Sequence, residues 1–164
     1  MIQTILFDFD GTLFDTGEGI LRSVQYALEG FGIHETDTAR LRKFVGPPLF
    51  DSFSELYAMT PEQAQAAVAR YRERYLPVGI YECTLYPGIP ELLHALAERG
   101  LKLAVLSNKP DADTKNVISH FFPDVPFSVV RGQVEGVPVK PDKAGALLVA
   151  EQLGIAPADF LYLG

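Results

Sequence analysis

The alternation of apolar and polar positions predicts strands and helices that follow one another along most of the chain. Four short apolar runs have the composition of buried parallel strands, at residues 4–7, 101–106, 127–130 and 160–163. Apolar residues at three- and four-residue spacing indicate helices near residues 20–31, 92–97, 113–121 and 146–153. Because parallel strands need long crossovers, which are usually helical, the pattern predicts an α/β fold with a doubly wound parallel sheet and a Rossmann-like core.

The segment between the first two predicted strands has a different pattern. It contains no convincing strand. Thr60, Pro61 and Gln63 form a typical helix start, because they supply an N-cap, a proline at the first helical position and a second capping side chain. We therefore expect residues 16–83 to form an all-helical subdomain, inserted into a core domain made of residues 1–15 and 84–164.

Composition and charge narrow the possible partners. The chain has 164 residues, of which 48% are hydrophobic, enough for a packed interior. A formal net charge of -7 leaves no basic face for a nucleic-acid backbone, so we expect no nucleic acid as partner. The sequence has no run of about 18 apolar residues and no N-terminal signal stretch, so we expect no membrane partner and a cytoplasmic location. The oligomeric state is unknown from the sequence.

Two carboxylates follow the first predicted strand. Side chains alternate along extended backbone, so Asp8 and Asp10 should point toward the crevice at the carboxyl end of the sheet, where ligands bind in open parallel sheets. Two close carboxylates repel unless one is protonated or a cation lies between them, which favours general acid chemistry or a hard cation such as Mg²⁺. Gly11 would permit a tight turn whose N–H groups can face an anion. Such a pair alone could also simply cap a turn.

Two further polar segments follow at the positions expected for loops. Ser107 and Asn108 come directly after the predicted strand 101–106, where a hydroxyl and a backbone N–H can hold phosphate oxygens. Lys140 follows a loop with the sequence Gly-Val-Pro-Val. A Ser-Asn pair is common turn chemistry and a lone loop lysine is usually a surface residue, so each gains meaning only from its order after Asp8 and Asp10.

The nine residues 8–16, with the sequence DFDGTLFDT, resemble the first motif of haloacid dehalogenase superfamily phosphatases, especially phosphoglycolate-phosphatase-like members. The resemblance implies that Asp8 attacks phosphorus to form an aspartyl phosphate and also binds Mg²⁺. It implies that Asp10 protonates the leaving oxygen and later activates water, while its backbone carbonyl reaches the metal. Such a division of labour is chemically sound, because a carboxylate nucleophile splits phosphoryl transfer into two easier steps.

The same resemblance implies roles for the remaining polar residues. It places Gly11, Thr12, Ser107 and Asn108 at the phosphate group, and it makes Lys140 the cation that neutralises nucleophile and phosphate together. These groups supply the positioning and charge neutralisation that phosphoryl transfer needs.

The helical insertion contains one segment that is unusual for a helix interior. Residues 42–49 combine two prolines and a glycine with two cations, and they resemble the substrate-facing loop of the helical cap in phosphoglycolate-phosphatase-like proteins. The resemblance implies that Arg42, Lys43, Gly46 and Pro47 lie near the substrate, with Arg42 or Lys43 meeting a carboxylate or phosphate. An ordinary interhelical turn is the alternative.

The end of the chain carries a further expectation. After Leu163 and Gly164, members of the resembled family continue with one or two aspartates that complete the metal site. We therefore expect the chain to be a fragment that binds Mg²⁺ weakly, has little activity and carries an unpaired sheet edge.

These observations predict a Mg²⁺-dependent phosphatase that hydrolyses a small phosphate monoester through an aspartyl phosphate. Phosphoglycolate is the first substrate expected, with sugar or nucleotide monophosphates and pyrophosphate close behind. A phosphosugar mutase and a catalytically silent binding module are the alternatives, since fold alone cannot select among them.

Overall fold

The computed structural model describes residues 2–164. The strands are β1 (Thr4–Phe7), β2 (Phe14–Asp15), β3 (Thr84–Leu85), β4 (Lys102–Pro110), β5 (Phe127–Gln133) and β6 (Phe160–Leu163). The helices are α1 (Gly17–Glu29), α2 (Thr38–Arg42), α3 (Leu49–Tyr57), α4 (Pro61–Tyr75), α5 (Ile89–Glu98), α6 (Asp111–Phe121) and α7 (Ala144–Leu153). Short 3₁₀ turns lie at Gly79–Tyr81 and Pro157–Asp159. The chain divides into two compact units: one runs up to Asp15 and resumes at Leu85–Gly164, and the other is Thr16–Thr84.

The first unit is built on a four-stranded parallel sheet with the strand order β5-β4-β1-β6. The chain moves in one direction from β1 through β4 to β5, and then returns across the sheet to β6. Because crossovers between parallel strands are right-handed, α5 and α6 cover one face and α7 covers the other. The predicted doubly wound α/β fold is confirmed. β2 and β3 form a separate two-stranded sheet.

Burial explains why the strands read as continuous apolar runs. All four residues of β1 are buried, as expected for a central strand covered on both faces. On one face Leu6, Leu106, Val129 and Val149 form a buried cluster with Ala104. Residues of α7 and β6 pack against it. Full burial of a side chain the size of Val or Leu stabilises the fold by about 1.5–3 kcal/mol. Because helices cover both faces of the sheet, β1 is stabilised by such burial on both faces.

The boundary predicted for β4 was wrong. The strand does not end at Leu106 but continues to Pro110, where it pairs with Gln133 of β5 after a shift in register. Ser107 and Asn108 therefore lie inside β4, not after it. The last residues of β4 are polar, so an apolar run in the sequence does not reveal that the strand continues through them.

The second unit is helical between Thr16 and Thr84. The predicted capping box at the start of α4 is confirmed, since Gln63 N donates to Thr60 Oγ1 at 3.3 Å and Thr60 N donates to Gln63 Oε1 at 3.0 Å. Sequence analysis missed α2 and α3. Both are short, and α2 begins with Asp37, whose carboxylate accepts from Ala39 N at 2.9 Å. No helix among residues 2–164 is long and apolar enough to span a membrane.

A cluster of three charged residues, Arg22, Arg74 and Glu82, lies near the end of the second unit. Arg74 donates two hydrogen bonds to the carboxylate of Glu82, at 2.8 and 2.9 Å, and Arg22 donates a third at 3.0 Å. These bonds, above all those from Arg74, hold the pKa of Glu82 below its ordinary value of 4.5. The backbone carbonyl of Glu82 also accepts from Gly19 N at 3.0 Å, so the cluster ties Glu82 to α1 and α4.

The lowered pKa of Glu82 predicts a pH-dependent contribution to stability. The ionised carboxylate stabilises the folded state above the unfolded pKa, and this contribution is lost as the pH falls through the folded pKa. Glu82→Gln should therefore lower the free energy of unfolding at neutral pH and make its decline shallower between about pH 5 and about pH 3. Urea unfolding across this range tests the effect, with Glu73→Gln, an exposed position on α4, as control. Parallel stability curves for wild type and Glu82→Gln would contradict it.

Candidate active site

Asp8 is fixed at the carboxyl end of β1. Its backbone N–H donates to Leu163 O at 2.8 Å, which extends the pairing between β1 and β6 by one residue. The side chain leaves the sheet at the edge where parallel α/β folds bind ligands, and it is 25% exposed. A partly buried carboxylate at this position needs a cationic partner.

That partner is Lys140. Its Nζ donates to Asp8 Oδ1 at 2.5 Å and to Leu106 O at 3.0 Å, and the lysine side chain is 18% exposed. The Tyr162 hydroxyl lies 3.4 Å from the same amine. The fold therefore brings together the first and the last of the predicted site residues.

Asn108 positions the loop that carries Lys140. Lys140 N donates to Asn108 Oδ1 at 2.8 Å, and Asn108 Nδ2 donates to Lys140 O at 3.2 Å. Both ends of the Asn108 amide are thus engaged with the lysine backbone. Phosphate binding by the backbone N–H at this position stays a prediction. Ser107 is buried beside it, and its hydroxyl accepts from Lys109 N at 3.0 Å. A contact between Ser107 and phosphate stays a prediction.

The turn after Asp8 is held by backbone hydrogen bonds. The carbonyl of Phe9 accepts the N–H groups of Thr12, Leu13 and Phe14, at 3.4, 3.1 and 3.2 Å. Gly11 has φ +81°, the left-handed backbone that favours glycine, and its N–H donates to Phe14 O at 2.8 Å. The predicted tight turn is present, but the amides of Gly11 and Thr12 are used inside it. Phosphate binding by Gly11 and Thr12 stays a prediction.

Asp10 projects from this turn and is the more accessible of the two carboxylates, with 42% of its side chain exposed. The Nζ of Lys109 lies 3.7 Å from Asp10 Oδ1. Lys109 was not among the predicted site residues. Residues two apart on a strand share a face, but this rule places Lys109 beside Ser107 only once β4 is known to extend to Pro110.

The predicted cap-loop residues lie in the other compact unit. Arg42 ends α2, and Lys43, Gly46 and Pro47 follow in the segment before α3. All four are exposed, and Gly46 has φ +112°. The segment is anchored by Phe44, which is buried with its ring centroid 4.8 Å from that of Phe53. Substrate contact by these residues stays a prediction.

The described residues supply oxygen ligands for a cation, but few of them. Within residues 2–164, no group of three or more His, Cys, Asp or Glu residues is placed to hold a metal ion. The available donors are the Asp8 carboxylate and the backbone carbonyl of Asp10, which the turn leaves out of its hydrogen bonds. Hard oxygen donors suit Mg²⁺, which commonly binds one or two carboxylates and completes its shell with water and substrate phosphate. The donor chemistry fits Mg²⁺, and these two groups would supply part of its coordination shell.

Comparison with known proteins agrees with this geometry. The sequence pattern of haloacid dehalogenase-like hydrolases matches residues 5–164. The chain belongs to this family. It superposes on a haloacid dehalogenase-like family hydrolase from Streptococcus pneumoniae with a TM-score of 0.88 and 29% identity, covering 99% of this chain and 75% of that one.

Two relatives have names that state an enzymatic activity. A 5'-nucleotidase from Pseudomonas aeruginosa is 48% identical over 128 residues, which are 78% of this chain and 58% of the nucleotidase. A phosphoglycolate phosphatase from Aquifex aeolicus is 30% identical over 171 residues, covering 99% of this chain and 76% of that enzyme. The chain thus spans well under two thirds of the nucleotidase's length.

The role of Asn108 in holding the Lys140 loop can be measured as stability. Asn108→Ala removes two hydrogen bonds from an exposed site and should lower the free energy of unfolding by about 1 kcal/mol. Asn116→Ala, at an exposed position on α6, should change it by much less. Denaturant titration of both variants decides the point, and equal stability of the two would show that Asn108 does not hold the loop.

Proposed function

We propose that this chain carries the catalytic centre of a phosphatase that hydrolyses small phosphate monoesters through an aspartyl phosphate on Asp8. The observation that carries the proposal is the contact between Asp8 and Lys140 at 2.5 Å, at the carboxyl edge of the sheet, with Asp10 two residues further along. Membership of the hydrolase family and the activities named for the two relatives support it.

The hydrogen bonds of Asp8 suggest which of its oxygens reacts. Oδ1 accepts from Lys140 Nζ and from Phe9 N, the latter at 2.6 Å. Because both hydrogen bonds are accepted by Oδ1, Oδ2 is the oxygen that attacks phosphorus. A carboxylate fixed through one oxygen presents the other in a defined direction, which lowers the entropic cost of reaching the transition state. The bond between phosphorus and the ester oxygen breaks as the new bond to Oδ2 forms.

Asp10 has the exposure that an acid–base group needs. Its carboxyl proton passes to the ester oxygen as the alcohol leaves, and the resulting carboxylate then takes a proton from the water that attacks the aspartyl phosphate. Because Asp10 is the more accessible carboxylate, both the leaving alcohol and the incoming water can reach it. Asp8, held by Lys140, is the better nucleophile of the two.

Charge balance supports a divalent cation at this centre. With Asp10 protonated as the acid, the charged groups of the two contacts are the Asp8 carboxylate and the ammonium groups of Lys140 and Lys109. A bound phosphate ester, with a charge of about -2, would leave an excess of negative charge. We propose that Mg²⁺ binds to the Asp8 carboxylate and the Asp10 carbonyl and supplies that missing charge. The small number of protein ligands predicts weak binding by this chain.

The substrate class is a small phosphate monoester, and two candidates lead. Phosphoglycolate is the first expected from the sequence, in line with the relative from Aquifex aeolicus. A nucleoside 5'-monophosphate is favoured by the higher identity to the nucleotidase, 48% against 30%. We further propose that Thr16–Thr84 is the cap that closes over the substrate and that Arg42, Lys43, Gly46 and Pro47 face it. Both candidate substrates are small molecules, and we propose no nucleic acid or membrane partner for this chain.

Asp8→Asn should abolish phosphate release, with a loss of at least about 1,000-fold, because an amide neither attacks phosphorus nor forms the acyl phosphate. Release of inorganic phosphate from phosphoglycolate and from nucleoside 5'-monophosphates, with and without Mg²⁺, measures the loss. Acid-quenched wild-type protein should also gain the mass of one phosphoryl group during turnover.

Asp124→Asn, at an exposed position far along the chain from the site residues, is the matched control and should keep wild-type activity. Undiminished activity in Asp8→Asn would overturn the proposed mechanism. Turnover of hexose phosphates into their isomers instead of phosphate release would point to the mutase alternative.

A further inference from the structure

Lys109 is a lysine of the candidate site that the proposed mechanism leaves without a role. We propose that Lys109 is a positioning residue that holds the Asp10 carboxyl group in the orientation from which it gives its proton to the leaving oxygen. The inference rests on the proposed function and deepens it.

The burial of Lys109 is the first observation. Only 8% of its side chain is exposed, which is rare for lysine, since a buried ammonium group is costly unless charges or dipoles compensate it. Its Nζ lies 3.7 Å from Asp10 Oδ1 and 5.3 Å from the centre of the Phe9 ring. The ring face of Phe9 offers a favourable site for a cation, and Phe9 is itself buried and stacked on Phe14.

The backbone around Lys109 is also fixed. Its N–H donates to Ser107 Oγ at 3.0 Å, and its carbonyl accepts from Thr114 Oγ1 at 3.2 Å. Thr114 is fully buried at the start of α6, so β4 and α6 together hold the root of the lysine. The backbone of Lys109 is therefore held in place, and its buried ammonium group is a fixed partner for Asp10.

Asp10 is the exposed member of the pair. Its side chain is 42% exposed, so its carboxyl group has room to rotate. At 3.7 Å the contact is an ion pair while Asp10 is ionised and an ion–dipole contact once Asp10 carries its proton, and in both forms it orients the carboxyl group without a close hydrogen bond. Asp8 thus contacts Lys140, and Asp10 contacts Lys109. The contact with Lys109 keeps Asp10 directed at the leaving oxygen while Lys140 stays with the nucleophile.

The experiment compares two phosphate esters that differ in their need for an acid. An alkyl ester such as a nucleoside 5'-monophosphate needs proton donation to its leaving oxygen, whereas p-nitrophenyl phosphate releases a stable anion. Lys109→Met should lower kcat/KM on the alkyl ester by about 10- to 100-fold, which is part of the roughly 100- to 10,000-fold that general acid–base catalysis contributes, and by less than about 3-fold on p-nitrophenyl phosphate. Lys109→Arg should restore most of the loss.

A double-mutant cycle separates positioning from a structural role. In an Asp10→Asn background, Lys109→Met should cause almost no additional loss, because the group it positions is gone. Lys115→Met, whose amine is exposed on α6 and paired with Asp111 at 2.6 Å, should leave both esters unaffected. Thermal unfolding of each variant checks folding, and Lys109→Gln repeats the test if Lys109→Met does not fold.

The possible failures are distinct. Equal loss on both esters, or a loss in Asp10→Asn as large as in wild type, would show that Lys109 acts through the fold, and the inference would be wrong although the phosphatase stands. Activity that survives Asp8→Asn would overturn the proposed function, and the inference would fall with it.

Discussion

The ion pair between Asp8 and Lys140 joins residues 132 positions apart at the carboxyl edge of the sheet. One amine contacts three adjacent strands: Asp8 directly after β1, the carbonyl of Leu106 in β4 and, at 3.4 Å, the hydroxyl of Tyr162 in β6. A partly buried charge is tolerated only when it is paired, so the carboxylate and the amine each require the other. The strand order β5-β4-β1-β6 is what makes this meeting possible.

The second carboxylate works under a different constraint. Asp10 is carried by a turn whose backbone hydrogen bonds are satisfied within the turn and whose apolar side is closed by Phe9 and Phe14. The turn fixes the position of the Asp10 backbone. The exposure of the Asp10 side chain lets its carboxyl group exchange protons. Two chemically identical side chains, two residues apart, thus receive different environments, and different environments are what allow two carboxylates to serve as nucleophile and acid–base group.

Both compact units have an apolar core. In the unit that carries the sheet, the central strand β1 is buried, whereas Leu161 and Tyr162 of the edge strand β6 are exposed. In the helical unit, Leu28, Phe44 and Phe53 are buried. This unit also contains the charged cluster of Arg22, Arg74 and Glu82, and its longest helix begins with a side-chain capping box. The relatives carry different activities in their names although they share the fold, which agrees with the general rule that a fold hosts many substrates and that specificity resides in local groups.

The sequence by itself determined the α/β class, the four strands of the main sheet and the position of Asp8 at the carboxyl end of β1, because alternation and apolar runs report local backbone geometry and burial. It could not determine that Asn108 spends its amide on the Lys140 loop, that β4 extends to Pro110, or that Lys109 is buried beside Asp10. Those facts depend on contacts between residues far apart in the chain, such as the 32 positions between Asn108 and Lys140. Only the tertiary structure decides such contacts, because a polar residue has the same local signature whether its partner is water, backbone or an opposite charge.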